Sequence, residues 1–153
     1  MLSPQEQSRY SKQTILPELG IEGQEKLCSA KILVIGAGGL GCPVLQYLTA
    51  AGVGTIGIAD GDTINISNLQ RQVLYTESEI GRKKAEVAAG KLKELNPQVN
   101  FQLYPVFIDS GNAPGILKDF DVIVDGSDNF ATRYLVNDAC ILLNKPMVFG
   151  AIY

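Results

Sequence analysis

KILVIGAGGLG, residues 31–41, decides how the chain is read. Residues 32–35 are four apolar side chains in a row, as in a strand buried on both faces. Gly36, Gly38 and Gly41 follow at G-x-G-x-x-G spacing, and residues 43–51 then read as a helix closed by Gly52. Strand, glycine turn and helix in this order make a nucleotide-binding unit. Glycines let the backbone turn sharply and approach a ligand, and the helix N-terminus beyond offers unpaired N–H groups to a phosphate. Residues 55–59 read as a second strand ending at Asp60, 19 residues past Gly41. That spacing suits a carboxylate that holds ribose hydroxyls.

The alternation continues outward. Residues 100–106, 121–125 and 147–152 read as further strands. A helix is expected over 81–95, opened by a Thr76–Glu79 capping box and ended by Asn96-Pro97. A short helix up to Lys118 and a longer one over 130–144 follow. Before the first strand, Ser3-Pro4-Gln5-Glu6 is a helix start, with Ser3 as cap, Pro4 at the first position and Glu6 completing the box. That helix should stop before Pro17, and a second covers 23–28. Residues 1–29 are thus a helical lead-in, and residues 1–153 form a single domain. The fold class is α/β, a Rossmann-like doubly wound, mainly parallel sheet of order 3-2-1-4-5. The first and fourth strands then lie side by side, and Ser127-Asp128-Asn129 faces the glycine turn across one crevice. A fifth strand with no covering helix predicts that the chain is truncated there and continues in a longer protein.

Composition narrows the function. The chain has 153 residues, 46% hydrophobic and 19% charged, with net charge −3. This is an ordinary globular composition, and no basic stripe points to nucleic acid. No apolar run approaches the roughly 20 residues of a membrane span. With no signal peptide and three widely separated cysteines, the cytoplasm is the expected compartment. There is no histidine. This removes the commonest general base and the serine–histidine and cysteine–histidine arrangements. Any chemistry rests on carboxylates, cations, backbone N–H groups or the substrates' own charges.

Several polar groups converge on that requirement. ISNLQRQ, residues 66–72, begins just past the second strand, on the ligand side of a parallel sheet. Its Arg71 suits a phosphate clamp, being planar and permanently charged. Arg82, Lys83 and Lys84 crowd a helix start, where acids are favoured, which suggests an anion nearby. Asp128 is placed either to hold magnesium or to cap the following helix, a task Asn129 can take instead. Arg9 and Lys12 share a helix face and read as a solvated basic pair. Cys42 reads as a small packing residue at a helix start, and Cys28 and Cys140 as core positions.

RYSKQ (9–13), GAGGLGCP (36–43), IADGDT (58–63), SNLQRQ (67–72), GRKKAE (81–86) and SDNFATR (127–133) stand in this order. Together they resemble the ubiquitin-activating-enzyme-like superfamily, in its bacterial branch of sulfur-carrier adenylyltransferases. The resemblance covers nearly the whole chain and the N-terminal part of longer family proteins. It implies ATP and magnesium as cofactors. With Gly36, Gly38 and Gly41, Gly39 would lie against the nucleotide, and Asp60 would hold the ribose. Ser67, Asn68, Leu69, Gln70 and Arg71 would line the phosphates, Asn68 and Arg71 touching them. Lys84 would grip phosphate, Asp128 would hold magnesium, and Asn129 would stand beside it. Lys12 occupies the place of an arginine that reaches the phosphates of the partner subunit in a homodimer; lysine keeps the charge and loses the fork. Arg71, Lys84, Asp128 and Lys12 are the catalytic set. The partner implied is a ubiquitin-like sulfur carrier ending in Gly-Gly, used in molybdopterin or thiamine biosynthesis. Zinc-binding C-x-x-C pairs and any thioester cysteine would lie beyond residue 153. Two alternatives are a carrier-binding subunit without catalysis and an NAD-dependent dehydrogenase domain; the latter leaves SNLQRQ and SDN unexplained.

Overall fold

Residues 1–151 are described by a computed structural model. The lead-in opens as its capping box predicts. Ser3 Oγ accepts from the Glu6 N–H at 3.3 Å, and Glu6 Oε2 accepts from the Ser3 N–H at 2.7 Å. Helix α1 (Pro4–Arg9) ends at Tyr10, and α2 (Ser11–Thr14) and α3 (Gly20–Ser29) follow. The lead-in therefore has three short helices where two are expected. Tyr10 breaks the first because its ring turns into the core, where its hydroxyl accepts from Asn96 Nδ2 at 2.8 Å.

The sheet is parallel throughout and runs β3-β2-β1-β4-β5. Its strands are β1 (Lys31–Ile35), β2 (Thr55–Ala59), β3 (Asn100–Tyr104), β4 (Val122–Asp125) and β5 (Met147–Phe149). The expected end of the fifth strand at Ile152 lies outside the described residues. Ile35 pairs with both Ala59 and Asp125. The three central strands therefore end level, and the glycine turn, Asp60 and Gly126 leave the sheet together. This register sets the site.

Successive β1 side chains feed opposite layers. Val34 joins Ile56 and Ile58 against α4 (Gly41–Ala51) and α5 (Lys84–Leu95), through Leu45, Ala88 and Leu92. Leu33 and Ile35 join Ile123 against α6 (Ala113–Leu117) and α7 (Phe130–Leu142), through Leu117, Val136 and Cys140. Burying each such side chain contributes about 1.5–3 kcal/mol, which accounts for residues 32–35 being apolar throughout. Cys42 and Cys140 are buried as expected; Cys28 is only half-buried, which corrects its reading as a core position.

The start of α5 also differs. The Thr76–Glu79 box is present, but it caps an isolated turn over Glu77–Glu79. Gly81, at φ 86°, donates its N–H to Ile64 O at 2.8 Å, and Ile64 donates to Arg82 O at 2.9 Å. This short antiparallel pairing takes the backbone of residues 81–83, so the helix begins at Lys84. Among the described residues no helix is long and apolar enough to cross a membrane.

Candidate functional site

At the carboxyl ends of β1, β2 and β4 lies a cleft of about 290 Å³. Its floor is the glycine turn. Gly36 has φ 85°, and a β-carbon there would stand 3.0 Å from the carbonyl oxygen of Gly126. Glycine thus lets the turns after β1 and β4 lie against each other. At Gly41 a β-carbon would run into the Gly36 carbonyl, so only hydrogen fits where the chain doubles back into α4. Gly36, Gly38 and Gly39 face the cleft, and Gly41 lies beneath it.

Ala37, between the glycines, is clamped from three directions. Its N–H donates to Asp60 Oδ2 at 2.7 Å. Its carbonyl accepts from the Tyr75 hydroxyl at 2.8 Å and from Cys42 Sγ at 3.3 Å. Burial pushes the Tyr75 phenol far above its ordinary value of 10, with Cys42 and Asp60 adding to the effect. Tyr75 therefore stays a proton donor across the physiological range. Burial likewise raises the Cys42 thiol above 9.0, which bears out its reading as a packing residue. Asp60 Oδ1 accepts from the Asp62 N–H at 2.7 Å. A carboxylate has about four acceptor sites, so each oxygen keeps capacity for a ligand hydroxyl.

The three clustered cations take separate tasks. Lys84, buried and first in α5, points its ammonium into the cleft, 3.1 Å from Asp62 Oδ2. Lys83 donates to Gly61 O at 2.6 Å, and Arg82 is exposed. Arg71 lines the cleft with its stem packed over Gly39, and its Nη1 donates to Ser67 O at 3.2 Å. Gln72 beside it is buried and also lines the cleft.

Ser67, Asn68, Leu69 and Gln70 are not among the residues lining the cleft. They form a capped turn instead. Asn65 Oδ1 accepts from the Ser67 N–H at 3.0 Å, Asn68 Oδ1 accepts from the Asn65 N–H at 3.1 Å, and Leu69 packs on the core. The turn presents Arg71 and Gln72 to the cleft, while Ser67 and Asn68 bond Asn65. Lys12 is exposed on α2 and does not reach the cleft of its own chain.

Opposite the glycine turn stand Ser127, Asp128, Asn129, Thr132 and Arg133. Asn129 caps α7, its Oδ1 accepting from the Thr132 N–H at 2.9 Å. This leaves Asp128 exposed, with no hydrogen bond or ion pair among the described residues. Asp125 Oδ1 accepts from the Ser127 N–H at 2.9 Å, and Arg133 Nε and Nη2 donate to Ser127 O at 3.3 and 3.0 Å. No cluster of three metal-capable side chains exists among the described residues. Magnesium does not require one, since it takes one or two carboxylates plus phosphate oxygens and water. An unpaired Asp128 at the mouth of a cation-lined cleft fits that pattern.

Sequence reasoning assigned no role to Asp62, Gln72, Arg133 or the apolar wall Val106–Phe107–Ile108. Phe107 lies with its ring against Gly61 and is 68% exposed. Its signal was there in part: large apolar residues continue past the end of an edge strand, where solvent would otherwise be expected.

The chain is similar to known proteins along nearly its whole length. The ThiF family model matches residues 10–153. A sulfur carrier protein adenylyltransferase of Thermus thermophilus is 58% identical over 97% of this chain and 55% of its own length. The probable adenylyltransferase/sulfurtransferase MoeZ of Mycobacterium tuberculosis is 52% identical over 99% of the chain and 39% of its own length. The chain thus spans about half, or less, of the curated relatives it matches. Among solved structures, E. coli MccB with succinimide superimposes at TM-score 0.79 with 32% identity, over 84% of this chain and 38% of that one. E. coli tRNA threonylcarbamoyladenosine dehydratase in complex with AMP superimposes at 0.91 with 23% identity, over 100% and 64%, a likeness of fold. The family match sets aside the dehydrogenase alternative.

Proposed function

We propose, since the chain belongs to the ThiF family, that it is the nucleotide-binding part of an adenylyltransferase for a ubiquitin-like sulfur carrier. The observation that carries this reading is the convergence of Arg71, Lys84 and Asp128, from three separate segments, on one glycine-floored cleft. The naming of its relatives as sulfur-carrier adenylyltransferases supports the substrate class. The AMP and ATP complexes of the threonylcarbamoyladenosine dehydratase support the nucleotide.

In this reading the base lies along Val106–Ile108 and the ribose near Asp60. The phosphates lie over Gly38 and Gly39, at the start of α4, between Arg71 and Lys84. Asp128 would hold magnesium, which supplies further charge to offset the phosphates. The carrier's terminal carboxylate, with a reference pKa near ~3.5, is already ionised. One of its oxygens bonds to the α-phosphorus, the bond from that phosphorus to the bridging oxygen breaks, and pyrophosphate leaves with the electron pair. No proton moves, so a chain without histidine lacks nothing for the step. Arg71 and Lys84 align the polyphosphate and offset the charge spread over its oxygens. Lys12 would serve only across a dimer interface, as a point charge, so we propose a homodimer with two shared sites. The pathways proposed are molybdopterin or thiamine biosynthesis, in the cytoplasm.

Calorimetric titration with ATP plus magnesium, and separately with NADH, tests the nucleotide. Carrier-dependent pyrophosphate exchange in the intact protein tests the reaction. ATP is expected to bind and NADH is not. Arg71→Ala and Asp128→Ala are each expected to lower exchange ~10²-fold or more. Wild-type exchange in either variant would sink the assignment, and binding of neither nucleotide would favour a carrier-binding subunit without catalysis.

A further inference from the structure

Gln72 is 3% exposed, yet its Oε1 has no hydrogen-bond partner, and its side chain makes no hydrogen bond among the described residues. Its backbone is fully occupied: the N–H donates to Asn68 O at 2.9 Å, and the carbonyl accepts from the Tyr75 N–H at 3.1 Å. The carboxamide alone is left over. It lies against the floor of the cleft, with Nε2 3.4 Å from where a β-carbon on Gly38 would stand. Nε2 stands on the cleft side with no acceptor among the described residues, and a donor so placed is completed by a ligand oxygen.

The surroundings indicate which ligand atoms those are. Gly38 is the middle glycine of the turn that leads into the N-terminus of α4, where backbone N–H groups favour an anion. Arg71 precedes Gln72 in the chain, and Lys84 lines the same cleft. Lys84 is shared with Asp62, and the Arg71 guanidinium is exposed beside its bond to Ser67 O. A neutral donor between the glycine floor and these cations adds direction without adding charge.

We propose that Gln72 is a ligand-contacting residue of this cleft, its Nε2–H donating to a phosphate oxygen of the bound nucleotide. This rests on reading the cleft as a nucleotide site. Because the described residues supply the amide with no hydrogen bond, removing it should cost the empty protein little. Gln72→Met keeps the length and shape of the side chain. Gln72→Glu replaces the donor by an anion aimed at the phosphates.

The experiment is calorimetric titration of wild type and both variants with magnesium ATP and with adenosine, alongside thermal melts of the ligand-free proteins. Gln72→Met is expected to melt with wild type, bind magnesium ATP about 5- to 10-fold more weakly, as for one lost hydrogen bond, and bind adenosine unchanged. Gln72→Glu is expected to weaken magnesium ATP at least about 30-fold, since repulsion adds to the lost bond, again with adenosine unchanged. Equal ATP affinity in wild type and both variants would overturn the proposal alone. So would a lower melting temperature in Gln72→Met with ATP and adenosine weakened in equal proportion, which marks a structural residue. Failure of wild type to bind either compound would overturn the nucleotide reading and this proposal with it.

Discussion

On the side of the cleft built by β1, β2 and α5, Asp60, Tyr75 and Lys84 are each bonded to another segment of the chain, and Arg71 is bonded to Ser67 within its own turn. On the side built by β4 and α7, Asp128 is bonded to nothing among the described residues, although the turn that carries it is held by Asp125, Asn129 and Arg133. The first wall places its charges and dipoles before a ligand arrives, so little reorganisation is needed when phosphate charge must be offset. The second wall presents one carboxylate on a fixed turn and leaves its oxygens uncommitted. That difference suits their proposed ligands. A phosphate is met best by donors already aimed. Magnesium demands near-octahedral geometry and keeps several waters, so a carboxylate able to adjust serves it better than one locked in place.

The comparison breaks most visibly at Lys84. Lys84→Met keeps the buried stem and removes the ammonium, and carrier-dependent pyrophosphate exchange is expected to fall ~10²-fold in kcat/KM. Melting should change little, because Asp62 is 55% exposed and water takes over its charge. A large drop in melting temperature would make the pair a structural tie and remove the distinction between the walls.

Arg133 tests the second wall. Its two bonds to Ser127 O hold the turn under Asp128, and its guanidinium lies 5.7 Å from the Phe130 ring centre. Arg133→Met is expected to raise the magnesium concentration for half-maximal ATP binding about 5-fold, from hydrogen bonds worth ~1 kcal/mol net. ATP affinity at saturating magnesium should stay the same. An unchanged magnesium dependence would mean that Asp125 and Asn129 hold the turn alone.

The smallest effect belongs to Tyr75. Tyr75→Phe keeps the ring and loses the hydroxyl bond to Ala37 O, with Cys42 still bonded there. Thermal melts should show a loss of about 1 kcal/mol, and ATP affinity should fall no more than about 3-fold. A loss as large as that of Lys84→Met would show that the glycine turn depends on this one clamp.

How much of this could be read beforehand differs by segment. The glycine turn, the five strands and their order followed from short-range patterns, because apolar runs and glycine spacing are local properties. Asn129 as the cap of α7 followed equally well. The start of α5 did not, since residues 81–83 are claimed by pairing with residues 63–64, a contact no helical pattern contains. Residues 67–70 carry the most specific-looking polar run, yet Ser67 and Asn68 bond Asn65, and Arg71 and Gln72 are the residues left lining the cleft.

By itself, then, the sequence determined a doubly wound α/β domain, a nucleotide-type turn at residues 36–41, and chemistry without histidine. Tertiary structure decided which polar groups are committed and which are left for a ligand. It paired Lys84 with Asp62, set Asp60 and Tyr75 to clamp Ala37, and left the side chains of Asp128 and Gln72 without partners among the described residues. The reason is physical: a side chain's type is written at its own position, whereas the partner that satisfies it comes from another strand or loop, across a distance that only the register of the sheet sets.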